Sequence, residues 1–352
     1  MRIRSLASAL LVTPLLLALS PRADEISFHP KDGSKLTKQF TITGEIELGD
    51  VTLDVAGQDV TGELPSDVSA GFEVSLKILD DYVKVEGGKP LELLRQFVQF
   101  NGSYHAMEES ESTDDMHDID TKVVRFKWNE DKQVYDITVA DDDTPPEQLR
   151  VMGVDMDLRS LLPAKSVSQG DAWDVDGKQL AAALIPGIDL GNLPDLETLM
   201  EDETDPESVL GLEIIKSEFI PQLEKLRDAC KTTATYTGQR EIDGRTLAAI
   251  RIKLDVAGSI DMLGFMRIAM KEGAELDEDD YDIEAAALEV TFRGEGELLW
   301  DIEAGIAHGF DFSAKLELAA KLAMSISGDG ETVDVEGEAE LLGKGHWAME
   351  LK

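Results

Sequence analysis

The stretch that decides the architecture is Phe310-Asp-Phe-Ser-Ala-Lys-Leu-Glu-Leu-Ala-Ala-Lys-Leu-Ala-Met-Ser-Ile326. Its even positions, Phe310, Phe312, Ala314, Leu316, Leu318, Ala320, Leu322, Met324 and Ile326, are all apolar, while the odd positions are mostly Asp, Ser, Lys or Glu. Nine consecutive matches to a period of two are the signature of a strand with one face buried. The preceding segment does the same through Leu288, Val290, Phe292, Gly294, Gly296, Leu298, Trp300 and Ile302, as do Ala248 to Ile260 before it and Val333 to Leu341 after it, with Trp347, Met349 and Leu351 finishing the run. Gly305 and Gly309 punctuate one reversal, and Gly328-Asp329-Gly330 carries hairpin chemistry at the next. A meander of four long antiparallel strands follows. A seventeen-residue strand extends about 55 Å, so its twist must curl the sheet, and a half-barrel around the apolar face is the expected shape.

Working towards the N-terminus, the theme repeats less regularly. Phe40, Ile42, Ile46 and Leu48 alternate, and Val51, Leu53 and Val55 resume after Gly49-Asp50, which reads as a turn. Phe72 to Ile78 predicts a further strand, Leu91, Leu94 and Phe97 after Pro90 predict a short helix, and Val124 to Trp128 pairs with Tyr135 to Val139 across Asn129-Glu130-Asp131. Leu196, Leu199, Met200, Leu210, Ile214, Ile215, Leu223 and Leu226 read as helices divided by Pro206 and Pro221. The fold class expected is therefore α+β, mainly antiparallel β, with long-stranded curved sheets and a few packed helices. A division near residue 180 separates an N-terminal β-rich half, residues 24–180, from a C-terminal half, residues 181–352, in which helices precede the meander. One continuous sheet shared by both halves is the alternative.

Residues 1–23 read as a secretory signal peptide: Arg2 and Arg4 precede an apolar run, Leu6 to Leu19, too short to span a bilayer, and cleavage is expected after Ala23. No cysteine is available there for lipid attachment, so a secreted or periplasmic location is expected. Cys230 is the only cysteine, which excludes an intramolecular disulfide and reads as a buried structural thiol.

With 33 basic residues against 72 acidic ones the chain carries a formal net charge of −39. Without residues 1–23 it has 30 bases against the same 72 acids, a net of −42. Nucleic acid is excluded as a partner and anionic membrane surfaces are disfavoured, because phosphate binding needs a basic face. Four segments, 108–120, 141–147, 195–207 and 275–284, hold 25 of the acids with no lysine or arginine and read as loops. Among them Asp114, Asp118, Asp120, Asp277 and Asp279 are the candidate metal ligands. Oxygen-rich loops of this kind can hold calcium weakly, although none matches the twelve-residue calcium loop, and no other cofactor is expected. His105, Glu108, Glu109 and His117 match no zinc spacing. No nucleophile elbow, phosphate loop or dinucleotide fingerprint occurs, so the chain reads as non-enzymatic.

The functional question is what fills the apolar face. Ala285, Ala287, Ala314, Ala320 and Ala339 are small, so strand side chains alone leave a trough. Met262, Phe265, Met266, Ala269 and Met270 recur at helical spacing and supply a helix that could plug it. Ala287, Leu316, Met324, Leu341, Met262 and Met266 are the candidate ligand-binding residues for an apolar small molecule or lipid. Open space lined by the first four favours a binding protein. A helix carrying Met262 and Met266 packed there favours a structural or interaction module of the cell envelope.

Leu161-Leu162-Pro163-Ala164-Lys165, Val167, Gly170-Asp171 and Trp173-Asp174-Val175 resemble the L-P-x-K-x-V-x-x-G-D-x-W segment of exported bacterial proteins of uncharacterised role, and Leu299-Trp300-Asp301 with Gly305 is similar to the same group. The resemblance covers some thirty residues and implies export, with no catalytic residue to carry over. The half-barrel expectation looks like the architecture of LolA-like periplasmic lipoprotein carriers, which hold acyl chains in an apolar trough.

Overall fold

The computed structural model describes residues 23–64, 68–107, 109–114, 122–140, 149, 152–185, 187, 221, 222, 225, 230–268, 270, 280–328 and 331–352. It is mainly antiparallel β. The long strands are β1 (Ser34–Val55), β3 (Ser69–Glu86), β4 (Lys89–Ala106), β9 (Lys231–Ile242), β10 (Arg245–Asp261), β11 (Tyr281–Asp301), β12 (Ile306–Gly328) and β13 (Glu331–Leu351), and the short ones β2 (Gln58–Asp59), β5 (Glu109–Thr113), β6 (Val123–Asn129), β7 (Val134–Val139) and β8 (Ala172–Val175). Two short α-helices, α1 (Gly177–Leu184) and α2 (Leu263–Ile268), and two single 3-10 turns, Thr61–Glu63 and Arg159–Leu161, complete the described elements.

All thirteen strands belong to one open, curved sheet in the order β7-β6-β4-β3-β1-β13-β12-β11-β10-β9-β8, with β2 on β1 and β5 on β4. The C-terminal strand β13 is not an edge: it pairs with β1 from Lys38↔Leu351 to Val55↔Val335. The sheet therefore runs unbroken across residue 180, since β8 before it pairs with β9 beyond it. At 23 residues, β12 extends roughly 75 Å.

Several local expectations give way to this sheet. Gly49-Asp50 makes no reversal; β1 continues through it with a bulge between Leu48 and Val51, which absorbs the two residues without breaking the pairing to β13. Leu91, Leu94 and Phe97 lie in β4, where Leu93, Arg95 and Phe97 are the buried alternation. A buried arginine in that series hides the period of two and leaves the leucines looking helical. The acidic segments are not all loops: Glu109 and Glu111 sit in β5, and Asp282 and Glu284 in β11. Residues 1–22, most of the predicted helices between Leu196 and Leu226, and the acids at 115–121 and 271–279 lie outside the described residues.

One face of the sheet is apolar, and its ends are covered. At one end Phe40, Met349, Phe310, Leu298, Ile250 and Tyr236 form a cross-strand row beneath Ile26, Phe28, Met156, Leu158, Leu161, Val167 and Leu180, and all of these residues are buried. The Leu161 to Val175 segment that carries the resemblance builds this cover. Val167 and Asp24 exchange backbone hydrogen bonds of 2.7 and 2.9 Å, Gly170 donates to the Tyr236 carbonyl from a φ of +94° that favours glycine, and Trp173 Nε1 donates to the Leu161 carbonyl at 3.2 Å. Asp176 starts α1 with a reciprocal cap to Gln179.

Further along the strands, Gly44, Gly345, Ala314, Gly294 and Leu254 pair in one row. Aromatic rings take the room their missing side chains leave: a Cβ on Gly294 would stand 2.5 Å from Phe312 Cζ, and one on Gly345 2.5 Å from the Trp347 ring, while the Phe72 ring lies against Gly44. Phe312 packs edge-on to Trp347 with ring centres 5.8 Å apart. These glycines are strand positions chosen for close ring packing.

Candidate functional site

Three zones follow one another along the apolar face. The first is the covered end just described. At the opposite end α2 folds back from β10: Asp261 caps it by accepting from the Leu263 amide at 2.9 Å, and the Met262 amide donates to the Ala286 carbonyl at 2.9 Å. Its residues Leu263 and Met266, with Met262 and Met270 beside it, pack on the buried cluster of Ile283, Ala286 and Met324, which Leu322, Ile326 and Val335 also flank. The expected methionine helix is present, shorter than its pattern, and it plugs the Met324 end.

Between the two covers lies a middle zone in which rows Ile46–Gly343–Leu316–Phe292 and Leu48–Leu341–Leu318–Val290 share the face. Ile46 is 42% exposed and Phe72, at the edge of the aromatic band, 46% exposed, while Leu48, Leu316, Leu318 and Leu341 are half-buried. From Leu316 to Ala320 this strip runs about 13 Å along β12. The structure thus brings Leu316 and Leu341 together in the middle zone, and Met324, Met262 and Met266 together under α2. It separates Ala287 from all five: Ala287 pairs with Lys321 and Asp261, one residue out of step with Leu288 and Ala286, and so faces the polar side. Leu318 follows Leu316 on the same face of β12, while Ile46, Leu48 and Phe72 join the site only because β1, with β3 beside it, pairs with β13.

The opposite face is polar, and a concavity of about 1000 Å³ lies there over β1 and β9 to β13. Of the candidate metal ligands, Asp114 is exposed beyond β5, and Asp118, Asp120, Asp277 and Asp279 lie outside the described residues. No group of three or more His, Cys, Asp and Glu able to hold a metal occurs among the described residues. His105 lies over Gly71 on β3. Cys230 is half-buried against the core with its sulfur 3.4 Å from Thr232 Oγ1. No helix among the described residues is long and apolar enough to cross a membrane.

A buried ionic network under the covered end was not visible as such in the sequence. Lys38 Nζ donates to Asp80 Oδ2 at 2.7 Å, to the Tyr82 hydroxyl at 2.7 Å and to Asp157 Oδ1 at 2.5 Å. Arg95 donates to both Asp80 oxygens at 2.7 and 3.0 Å and to the Gly153 and Val154 carbonyls at 3.1 Å. Arg159 reaches Asp155 at 3.2 Å and Asp157 at 3.8 Å. Three cations thus meet three carboxylates, and Lys38, Asp80, Arg95 and Asp157 are each at most 3% exposed. Burial by itself would raise the Asp80 carboxyl, but Arg95 and Lys38 outweigh it and hold the group at about 2. Burial and the Asp157 and Asp80 charges push the Tyr82 hydroxyl well up, so it stays a donor. This arrangement ties the 153–159 segment to β1, β3 and β4. Its only sequence signal is charge at core-facing strand positions, as in Leu93-Leu94-Arg95-Gln96-Phe97.

No family model and no curated protein matches the sequence. Among solved structures, one titled "Lipid-protein interactions in lipovitellin" matches at 12% identity and a TM-score of 0.32, covering 92% of this chain, which spans a quarter (25%) of that one. The crystal structure of the outer membrane protein OprG from Pseudomonas aeruginosa matches at 7% identity and a TM-score of 0.16, covering 92% of this chain and 99% of that one.

Proposed function

We propose that this is an exported, non-enzymatic binding protein that takes an elongated apolar ligand, an acyl chain or similar lipid, on the middle zone of its apolar sheet face. The observation that carries the reading is the contrast along that face: both ends are covered by the protein's own segments, yet Ile46 and Phe72 between them are 42% and 46% exposed. Covering each buried methylene of a ligand stabilises the complex by about 0.8 kcal/mol before association costs are subtracted. An acyl chain of about sixteen methylenes, roughly 13 kcal/mol of gross burial, is then enough for micromolar binding at an association cost of about 4 kcal/mol. Export fits the same picture, since Asp24 and the residues after it are stitched into the cover. Cleavage after Ala23 would leave that cover intact. The resemblance to LolA-like carriers points the same way.

The packing of α2 onto Met324 favours a second reading for that end of the sheet, a structural or interaction module of the cell envelope whose trough is closed by its own helix. A fluorescent fatty-acid probe separates the two. The binding reading expects saturable probe enhancement that Ile46→Glu weakens by roughly tenfold or more, since a carboxylate placed against an acyl chain must be desolvated. Absence of any enhancement at high protein concentration would leave the structural reading.

A further inference from the structure

On the opposite, polar face of the sheet, we infer a binding site for a phosphate-bearing ligand. This rests on observations independent of the apolar zone. The register places Glu45, Lys344, Lys315, Arg293, Asp255 and Lys231 side by side on β1, β13, β12, β11, β10 and β9. All six line the concavity of about 1000 Å³, a volume in the small-molecule range. The next row along the same face adds Lys253 and the Ser313 hydroxyl, together with Glu295.

Two features of this row call for an anion. The first is its composition: the concavity gathers five cations, Lys231, Lys253, Arg293, Lys315 and Lys344, against three carboxylates, in a chain of net charge −39. The second is its order. Lys344, Lys315 and Arg293 stand directly opposite one another on three adjacent strands, about 4.8 Å apart, an arrangement that destabilises a sheet unless something neutralises it. The outer two have partners: Lys344 meets Glu45 at 2.6 Å and Arg293 meets Asp255 at 3.4 Å. Lys315, at the centre, has no carboxylate partner among the described residues, and neither do Lys253 and Lys231. A phosphate seated over Lys315 would accept from its ammonium and from the Arg293 fork, whose planar donors suit two phosphate oxygens. Its charge of nearly two would cancel the repulsion along the row.

Phosphate can come from a soluble phosphorylated molecule or from a phospholipid headgroup, and the overall acidity of the protein favours the soluble source. The test titrates the full protein at low ionic strength with inorganic tripolyphosphate in one arm and with vesicles containing phosphatidylglycerol in the other. Lys315→Glu and the control Lys321→Glu are run beside the wild type; Lys321 lies further along β12 on the same face, paired with Glu338 at 3.3 Å. The inference expects binding in one arm that weakens as salt rises and falls by roughly tenfold or more in Lys315→Glu but not in Lys321→Glu. Saturation by tripolyphosphate assigns the soluble source, and binding confined to the vesicles assigns the headgroup. It also expects the melting temperature of the unliganded Lys315→Glu protein to rise, because an acid between Lys344 and Arg293 converts two repulsions into two attractions. No binding in either arm, or equal losses in both variants, overturns it.

Discussion

Replacing Asp80 by Asn tests the part of the structure that is most sharply specified by geometry. The substitution keeps the shape and removes one charge, leaving Lys38, Arg95 and Arg159 facing only Asp155 and Asp157 in a pocket where Lys38 and Arg95 are 3% and 1% exposed. Stranding a buried charge costs about 3–5 kcal/mol, far more than the roughly 1 kcal/mol lost with an ordinary hydrogen bond. With a urea m-value of about 3 kcal/mol per molar, the unfolding midpoint should fall by about 1 M or more. The double variant Lys38→Met, Asp80→Asn restores the balance of two cations against two carboxylates, so it should be more stable than Asp80→Asn alone by about 1–3 kcal/mol. Both proteins are to be followed by tryptophan fluorescence, since Trp300 is fully buried under the same cover. A loss below about 1 kcal/mol in Asp80→Asn, or a double variant less stable than the single one, would refute the view that charge balance holds this end together.

Two further outcomes follow from the same structure. Asp80 is held at about 2, below the ordinary value of 3.8, so its contribution is complete above pH 4 and is lost as the pH falls towards 2. The shift corresponds to about 2 kcal/mol, and urea midpoints measured between pH 5 and pH 2 should show the wild-type advantage over Asp80→Asn shrinking by that amount. Gly294→Val should destabilise by about 1–3 kcal/mol, because its side chain would enter the space of the Phe312 ring; thermal melts would show this, and an additional Phe312→Ala change should recover part of the loss.

The parts of the fold legible in the sequence are those where burial follows a simple period. The β10 to β13 meander alternates cleanly because one of its faces is apolar and the other meets water, and the Asn129–Asp131 hairpin is framed by alternating strands on both sides. Legibility fails where a core position carries a charge or where a bulge shifts the register. Arg95 is buried because Asp80 lies opposite it, fifteen residues away on β3, and the Gly153 and Val154 carbonyls take its remaining donors, so the β4 strand imitates a helix. Gly49-Asp50 has turn composition, but β13 continues to pair on both sides of it and makes it a bulge. Half of the candidate site is legible: the periodicities of Leu316, Leu341 and the Met262–Met270 segment mark them as strand and helix positions of the apolar face. Ile46 and Phe72 were recognised as strand residues, yet their place beside Leu316 depends on the pairing of the first long strand with the last, which no local pattern encodes. The row that holds Lys344, Lys315 and Arg293 is hidden for the same reason, since its members are single residues contributed by six strands.

The claim that the middle of the apolar face holds a lipid is tested most directly by purifying the protein from its native host and analysing an organic extract by mass spectrometry, with Ile46→Glu purified in parallel. A lipid near one equivalent per wild-type chain is expected, with its depletion in the variant, whose fold should be unchanged because Ile46 is 42% exposed. An extract free of lipid at high protein loading, or the same lipid content in both proteins, would contradict it.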